Sequence, residues 1–186
     1  MTSIDFTPLT VADAPALSEV ALRAYRDHYL DYWYDRGEWY MQHSFAIDQL
    51  ATELADQNAR YFMVNLDSKP VGFLKVNLDK PLPCSDLSGN GKGSPTVSQT
   101  DGFELERIYL VKTVTGHGVG QVAMNFVETM ARKRGKQTLW LKAMDSSPAL
   151  GFYKRLGFQQ HGTHRLHFPQ MKEDLRGMVI LRKELD

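Results

Sequence analysis

The sequence predicts an α/β fold of the α+β type, and three observations support this class. Residues 61–78 contain two short β-prone runs around a turn, a pattern that predicts a hairpin. Residues 103–143 show the periods of a strand, a helix and a strand in that order. Two helix-like segments lie between residues 12 and 55. At 186 residues with 42% hydrophobic content, we expect one domain, residues 1–186.

The charge composition argues against a nucleic-acid partner. Lys plus Arg and Asp plus Glu number 22 each, so no net positive charge is available to attract a polyanion. The single cysteine, Cys84, cannot form an intramolecular disulfide, and the N-terminal residues lack the pattern of a secretion signal. No apolar run approaches the roughly 20 residues that cross a bilayer. We therefore expect a cytoplasmic protein with no nucleic-acid or membrane partner.

The first elements are predicted to be one strand and two helices. Ile4 and Phe6 alternate with polar neighbours, as in a strand. Thr10 is suited to cap a helix over residues 12–30, and Ser44 is suited to cap a second helix that ends near Ala55.

A β-hairpin and a long loop are expected next. The strands are residues 61–66 and 71–78, joined by the turn-forming group at residues 67–70. Residues 79–102 are rich in Pro, Ser, Gly, Asp and Asn, which predicts a surface loop. The strand predicted at residues 103–111 needs the hairpin as a sheet neighbour, so this loop is not taken as a domain boundary.

The clearest predicted helix follows the last of these strands. Apolar residues recur at helical spacing from Val119 to Ala131, and Gly135 can end the helix. Residues 137–143 then predict a strand.

The C-terminal segment is predicted to contain one short helix and two strands. Ser147 can cap the helix with Pro148 in its first turn, and Gly157 can end it. Residues from 158 onward and residues 177–182 are expected to be the closing strands.

A glycine-rich loop, TGHGVG at residues 115–120, joins the predicted strand to the predicted helix. Amide N–H groups at a helix start have no helical carbonyl partner, and glycine lets the backbone approach an anion closely. The helix dipole adds partial positive charge at the same point. The loop therefore predicts a pyrophosphate site, with a plain flexible turn as the alternative.

The spacing of the loop glycines excludes two common nucleotide sites. The segment lacks the Gly-Lys-Ser/Thr ending of a phosphate-binding loop of the nucleotide-triphosphatase type. Its third glycine also comes too early for the dinucleotide-binding fingerprint.

The order of motifs resembles the GNAT superfamily of acetyltransferases. The matching segments are ELERIYL at residues 104–110, the glycine loop with its helix, WLK at residues 140–142 and ALGFYKRLGF at residues 149–158. The resemblance implies a GNAT fold, in which about seven strands form a mixed, mostly antiparallel sheet flanked by four helices. Two central strands of that sheet are expected to splay apart.

The resemblance also implies that acetyl-CoA is the cosubstrate and that no metal is used. The strand before the glycine loop would hold the pantetheine arm, and the loop would hold the pyrophosphate. The cofactor-binding candidates are Ile108, Tyr109, Leu110, Thr115, Gly116, His117, Gly118, Val119, Gly120, Gln121, Ser146 and Tyr153.

Two residues depart from the family pattern. Thr115 stands where the family usually has Arg or Gln, and Ser146 stands where it commonly has Asn. Both changes replace a longer polar side chain by a hydroxyl. They motivate one alternative function, a non-catalytic acyl-CoA-binding sensor.

Glu104 and Glu106 are the candidates for the base that takes a proton from the attacking amine. With strict alternation along a strand, both side chains would lie on the same face as Ile108 and Leu110. The sequence does not choose between the two acids, and either could be an ordinary surface acid of the strand.

Tyr153 is the candidate general acid, because the family often uses a tyrosine at this place to protonate the departing thiolate. The alternative is a packing residue on an apolar helix face. The hydroxyl group is the part of the side chain that distinguishes the two roles.

The region around Tyr29, Tyr32 and Trp33 is the candidate acceptor site. Its aromatic residues are interleaved with Asp27, Asp31 and Asp35, and aromatic faces with carboxylates can hold a cationic amine. Helix packing with an acidic rim is the alternative interpretation.

The ELERIY segment and the C-terminal end resemble the PaiA-like branch, which implies a small amine, specifically a polyamine, as acceptor. A protein or peptide N-terminus is the alternative acceptor. The sequence does not determine the oligomeric state, although an exposed edge strand near the C-terminus could pair with a second copy to form a homodimer.

Three histidines near the C-terminus are evenly spaced, a pattern that raises the question of a metal site. His161, His164 and His167 step by three residues, which in a strand puts successive side chains on alternating faces. No metal site is therefore predicted.

Overall fold

A computed structural model describes residues 3–83 and 102–185. Its strands are β1 (Ile4–Pro8), β2 (Ala59–Leu66), β3 (Lys69–Asn77), β4 (Gly102–Leu110), β5 (Thr138–Met144), β6 (Gln159–Arg165) and β7 (Gly177–Glu184). Its α-helices are α1 (Ala14–Arg26), α2 (Glu38–Ser44), α3 (Ile47–Leu54), α4 (Val119–Lys133) and α5 (Leu150–Arg155). The predicted fold class is confirmed.

The strands form one seven-stranded sheet in the order β1-β2-β3-β4-β5-β7-β6. Every neighbouring pair is antiparallel except β4 and β5, so the sheet is mixed and mostly antiparallel as expected. Five α-helices occur in the described residues instead of four, because the segment before α3 forms the short helix α2.

The predicted hairpin is formed by β2 and β3. Asp67 and Ser68 have positive φ values of 48° and 63° and make a two-residue turn. Turns with two positive φ angles match the right-handed twist of the strands they join. The hairpin is therefore confirmed.

Helix α1 ends at Arg26, four residues before the predicted end at Leu30. Beyond it, a carboxylate oxygen of Asp27 accepts a hydrogen bond from the amide of Lys112, and the His28 ring nitrogen Nε2 lies 2.9 Å from the carbonyl oxygen of Leu110. These contacts hold the chain against the end of β4. Long-range hydrogen bonds therefore replace the continuation of the helix that local pattern predicted.

The prediction that Ser44 caps the second helix is wrong. Ser44 is the last residue of α2, and α3 begins at Ile47 with Ala46 as its N-cap. Helix α2 begins earlier because the Asp35 carboxylate accepts hydrogen bonds from the amides of Gly37, at 2.9 Å, and Trp39, at 2.8 Å. A carboxylate that binds amide groups at a helix start stabilises that start.

The two faces of the sheet carry separate hydrophobic cores. Helix α4 covers one face with fully buried residues such as Val119, Ala123 and Val127. Helices α1 and α3 cover the other face with Leu17 and Leu50 among its buried residues. The core on the α1–α3 face borders the candidate site.

The C-terminal elements agree with the predicted order. Ser147 lies in the turn before α5, where its hydroxyl oxygen accepts a hydrogen bond from the amide of Ala149, so the helix begins three residues after the predicted cap. Strand β6 is at the edge of the sheet.

The loop predicted at residues 79–102 lies mostly outside the described residues. In the described part of the chain, no helix has the length and apolar character that a membrane span requires.

Candidate active site

The site forms where β4 and β5 separate. The two strands pair in parallel only from Gly102 with Thr138 to Leu105 with Leu141. Beyond this point β4 continues to Leu110 and β5 to Met144 without pairing to each other. The predicted splay between two central strands is therefore present.

A β-bulge in β4 adjoins this separation. Lys75 of β3 pairs with Arg107, whereas the next residue, Val76, pairs with Leu105, so Glu106 is an extra residue in β4. Such a bulge interrupts alternation and changes the direction of the side chains that follow it.

The bulge makes one prediction wrong, namely that Glu104 and Glu106 share a face with Ile108 and Leu110. Ile108 and Leu110 pack against the core on the α4 face. Glu106 instead contacts Lys75, which is ion-paired with Glu53 of α3 on the opposite face. The prediction from strict alternation fails because it assumes that each residue of β4 pairs with one residue of β3, whereas Glu106 is an extra residue in β4.

The backbone of β4 beyond the bulge is open toward the gap. The amide of Val111 donates a 2.8 Å hydrogen bond to the carbonyl of Val71, so Val111 faces β3. In an antiparallel strand, the backbone N–H and C=O groups of successive residues point to alternate sides. Those of Ile108 and Leu110 therefore point into the gap, and those of Tyr109 point to β3.

A cavity of about 290 Å³ occupies the gap and extends under the α1–α2 connection. Its lining brings together all the catalytic and acceptor candidates from the sequence and two more cofactor-binding candidates: Glu104, Glu106, Tyr153, Tyr29, Tyr32 and Trp33, with Ile108 and Tyr109. The glycine loop, Leu110 and Ser146 lie outside the lining.

The two candidate bases share one neighbour that the sequence did not indicate. The side-chain nitrogen of Asn77 lies 2.6 Å from Glu104 and 2.7 Å from Glu106. Glu104 is only 4% exposed. Burial raises the pKa of the Glu104 carboxyl, and this effect outweighs the hydrogen bond from Asn77, which lowers it.

An ionic network extends from Glu106 to α3. The Lys75 ammonium lies 2.8 Å from Glu106 and 2.7 Å from Glu53, and Arg107 lies 3.3 Å from Glu53. Burial alone would raise the pKa of Glu53, but Arg107 and hydrogen bonds from Lys75 and Tyr61 lower it to about 2. No local sequence pattern indicates this network, because its members lie on four different elements.

Tyr153 is 8% exposed and packs edge-on against Phe152 and Phe158. Burial raises the pKa of its hydroxyl, with a smaller contribution from Tyr29, so the proton stays on the oxygen at neutral pH. Within the described residues this hydroxyl has no hydrogen-bond partner, and the side chain borders the cavity.

The glycine loop lies at the N-terminus of α4. Gly116 and Gly118 have φ values of 81° and 78°, and no atom lies within 4 Å of where a Cβ would stand on either residue. The first helical hydrogen bond runs from the amide of Val122 to Gly118, so the amides of residues 118–121 have no helical partner. The loop is exposed and has room for an anion.

His117 and Ser146 are exposed, whereas Val119, at the start of α4, is fully buried. The His117 ring nitrogen Nδ1 lies 3.1 Å from the carbonyl oxygen of Thr115. The Ser146 hydroxyl donates a long, 3.4 Å hydrogen bond to the hydroxyl of Tyr32, which links it to the acceptor candidates.

An aromatic wall encloses the far side of the cavity. It consists of the predicted Tyr29, Tyr32 and Trp33 together with Tyr25 and Tyr40. The three aspartates expected beside it have other roles: Asp27 binds Lys112, Asp31 pairs with Arg36 at the surface, and Asp35 caps α2. The carboxylates that line the cavity are Glu104 and Glu106 instead.

A covering bridge lines the cavity between the aromatic wall and the segment before β7. We use this name for residues 32–34 and 170–172, in which Trp33 pairs with Met171. The amide of Tyr34 donates to the carbonyl of Gln170, and the amide of Lys172 donates to the carbonyl of Tyr32, both at 2.9 Å. The bridge joins segments that lie more than 130 residues apart.

The C-terminal histidines do not gather into a metal site. The His161 ring bonds to the carbonyl of Pro83. Within residues 3–83 and 102–185, no three His, Cys, Asp or Glu side chains cluster closely enough to hold a metal ion.

Two solved structures share this fold over nearly the whole chain. PaiA N-acetyltransferase from Thermoplasma acidophilum, in complex with coenzyme A, superposes with a TM-score of 0.70 at 19% identity and covers 98% of this chain and 99% of its own. The ribosomal-protein-S18-alanine N-acetyltransferase from Escherichia coli superposes with a TM-score of 0.66 at 19% identity and covers 100% and 95%. At these identities the likeness concerns the fold.

Sequence comparison adds a relative and a family. An uncharacterized N-acetyltransferase in the pepI 3′ region of Lactobacillus delbrueckii subsp. lactis is 24% identical over 166 residues, which cover 88% of this chain and 89% of that protein. The model of the acetyltransferase (GNAT) family matches residues 15–158, well over half of the chain. The protein therefore belongs to the acetyltransferase (GNAT) family and is an enzyme that transfers acetyl groups.

Proposed function

We propose that this enzyme moves the acetyl group of acetyl-CoA to a primary amine on a small molecule, with a polyamine as the specific candidate. The observation that carries this proposal is the cavity between β4 and β5, which joins a buried carboxylate, a tyrosine hydroxyl and an aromatic wall. Residues 1–186 would act as one domain in the reducing cytoplasm. The edge strand β6 is the candidate contact for a homodimer.

The glycine loop would hold the pyrophosphate of acetyl-CoA. The unpaired amides of residues 118–121 and the open space above Gly116 and Gly118 support this role. A CoA-bound structural neighbour of the same fold supports it as well. Because Thr115 offers only a short hydroxyl, the backbone amides would supply most of the binding.

The open strand β4 would hold the pantetheine arm along Ile108, Tyr109 and Leu110. When bound, acetyl-CoA supplies an activated acetyl thioester that a neutral amine can attack directly. The Leu110 amide, which faces the gap, would stabilise the negative charge that develops on the acetyl oxygen. The exposed Ser146 would contact the same arm from the β5 side.

Proton transfer would be divided between the carboxylate pair and Tyr153. Glu104 or Glu106 would take the proton from the attacking amine, directly or through one water. Tyr153 would donate a proton to the departing sulfur, because its hydroxyl has no other partner among the described residues and keeps its proton at neutral pH. All three of these residues line the cavity.

The aromatic wall and the covering bridge support a small acceptor. The π faces of Tyr29, Tyr32 and Trp33 attract a cationic amine, and a polyamine would place a second ammonium beside them. The covering bridge limits the depth that a folded protein's chain terminus could reach. A peptide N-terminus is the second candidate, favoured by the fold shared with the S18-alanine N-acetyltransferase.

The test is free-thiol release from acetyl-CoA with the wild-type enzyme across a panel of acceptors. The panel contains a monoamine, a diamine, a triamine and a peptide with an N-terminal alanine. We expect kcat/KM for the triamine to exceed that for the peptide by at least about tenfold, equivalent to about 1.4 kcal/mol of extra contact. Transfer to the peptide alone would contradict the small-molecule acceptor.

A further inference from the structure

Asn77, at the end of β3, binds both candidate base residues through one side-chain nitrogen. The distances from Nδ2 are 2.6 Å to Glu104 Oε2 and 2.7 Å to Glu106 Oε2. An amide nitrogen carries two hydrogens, so both are used by these two bonds. Asn77 is 7% exposed, which keeps water from competing for the amide. The two carboxylates are thereby held in one relative arrangement.

Glu106 is held at both of its carboxylate oxygens. Oε2 accepts from Asn77, and Oε1 lies 2.8 Å from the Lys75 ammonium and 3.5 Å from Arg107. Lys75 itself pairs with Glu53 of α3. With two cations beside one oxygen and an amide on the other, Glu106 is held in place by contacts at both oxygens.

Glu104 is held at only one oxygen. Oε2 accepts from Asn77, and Oε1 has no hydrogen-bond partner among the described residues, while the side chain lines the cavity. The charged groups that face Glu104 are Glu106 on its own strand, Lys142 on β5 and Lys80 beyond β3. The free oxygen therefore borders the space where an acceptor amine would lie.

Burial is the main cause of the raised pKa of Glu104. The hydrogen bond from Asn77 lowers that pKa, the charge of Glu106 raises it, and Lys142 and Lys80 lower it. The net effect makes Glu104 a better proton acceptor than an exposed glutamate. Asn77 therefore lowers the pKa of Glu104, whereas Glu106 raises it.

We propose that Asn77 is a positioning residue that holds Glu106 in place and aims the free oxygen of Glu104 at the acceptor amine, which makes Glu104 the catalytic base. In the proton-transfer step an N–H bond of the acceptor ammonium breaks, its electron pair stays on nitrogen as the lone pair of the neutral amine that attacks, and the proton goes to Glu104 Oε1. The inference rests on the proposed acetyl transfer to an amine, and it selects one base from the pair.

The first experiment compares the pH profile of kcat/KM in Asn77→Ala, Asn77→Ser and wild type. Without the amide, the ionised form of Glu104 loses a charge-assisted hydrogen bond, so the acidic limb moves to higher pH by about one to two units. Asn77→Ser keeps one donor and is expected to lie between the other two. A folded Asn77→Ala enzyme with the wild-type profile would overturn the proposal.

Asn65→Ala is the matched control. Asn65 lies on β2, where its side-chain nitrogen also serves two oxygens, Asp5 Oδ1 at 2.8 Å and Thr7 Oγ1 at 3.0 Å, but it is remote from the cavity. Its loss removes two exposed hydrogen bonds from one amide nitrogen, one to a carboxylate and one to a hydroxyl. The profile of this variant is expected to match wild type, and a shift equal to that of Asn77→Ala would count against a specific role for Asn77.

A second pair of variants keeps the proposal testable if Asn77→Ala does not fold. Glu104→Gln is expected to lower kcat by at least about a hundredfold, the usual effect of losing a general base. Glu106→Gln removes a negative neighbour, so it is expected to retain transfer and move the acidic limb to lower pH. The reverse ranking of the two variants would overturn the proposal.

The acceptor panel separates this proposal from the proposed function. If the wild-type enzyme acetylates a peptide but no small amine, the acceptor class is wrong, and the pH profiles measured with the peptide still test Asn77. If small amines are acetylated and the Asn77 variants keep the wild-type profile, only the role of Asn77 is wrong.

Discussion

Gly118 and Gly135 stand at the two ends of α4 with the same kind of backbone. Their φ values are 78° and 68°, and in both cases no atom lies within 4 Å of where a Cβ would stand. A substitution at either glycine would therefore have to adopt the same left-handed backbone, one at the start of α4 and the other just after its end. Only Gly118 belongs to the proposed pyrophosphate loop.

This relationship gives a matched test of the loop. Alanine at either position must adopt a left-handed backbone, so Gly118→Ala and Gly135→Ala are each expected to lose about 1 kcal/mol of stability. Gly118→Ala also places a methyl group where the phosphates would lie and is expected to raise KM for acetyl-CoA at least about tenfold. Equal KM values for the two variants, measured by thiol release, would remove the loop from cofactor binding.

Tyr153→Phe tests the proposed proton donor. The ring contacts with Phe152 and Phe158 remain, so the melting temperature is expected to stay within a few degrees of wild type. Loss of the proton donor is expected to lower kcat by about a hundredfold. Tyr34→Phe, at a tyrosine that is 68% exposed, is the control and is expected to leave kcat unchanged. A Tyr153→Phe enzyme with normal turnover would mean that Tyr153 only packs.

Tyr32→Leu tests the aromatic wall. Leucine keeps an apolar side chain but removes the π face, so KM for the amine is expected to rise about threefold to tenfold, equivalent to roughly 1 kcal/mol of cation–π attraction. KM for acetyl-CoA is expected to stay the same. Tyr34→Leu outside the cavity is the matched control. Parallel changes in both KM values would indicate a general distortion and count against amine recognition by Tyr32.

Glu53→Gln tests the ionic network through stability. Because the pKa of Glu53 is lowered from 4.5 to about 2 in the folded state, its ionised form stabilises the protein above pH 4.5, and this contribution is lost as the pH falls toward 2. The shift corresponds to about 3 kcal/mol. Chemical denaturation at pH 7 is expected to show a loss of about that size in Glu53→Gln.

The pH dependence supplies the decisive comparison for Glu53. The difference between wild type and Glu53→Gln is expected to shrink between pH 4.5 and pH 2, because the wild-type carboxylate becomes protonated there. Glu19→Gln, at an exposed position of α1, is the control and is expected to change stability by less than about 0.5 kcal/mol. If the stability difference between wild type and Glu53→Gln stays constant over this range, the pKa of Glu53 is not lowered by the ionic network.

Local signals predicted the parts of the site that lie on one stretch of chain. The glycine spacing of residues 116–120 and the apolar period of α4 act through backbone preferences within a few residues. The Asp67-Ser68 turn is local in the same sense. These elements were recognisable because each is determined by its own sequence.

Elements that depend on distant partners were misplaced or missed. The end of α1 is set by Lys112 and Leu110, more than 80 residues away, so helical periodicity alone extended the helix too far. The start of α2 depends on the Asp35 carboxylate, and Ser44 offered a competing cap signal. The role of Asn77 could not be predicted from the sequence, because asparagine is common near strand ends and its two carboxylate partners lie on another strand.

The sequence by itself determined the order of elements, the α/β class, the glycine loop at the start of α4 and the pair of acids in β4. The tertiary structure decided which partners those acids contact, because the bulge at Glu106 arises from the pairing of β4 with β3. Glu106 contacts both Lys75 and Asn77, and Glu104 contacts Asn77. The alternation of side chains along one strand does not predict the register in which that strand pairs with its neighbour. A single inserted residue in that register is enough to change the face on which a side chain lies.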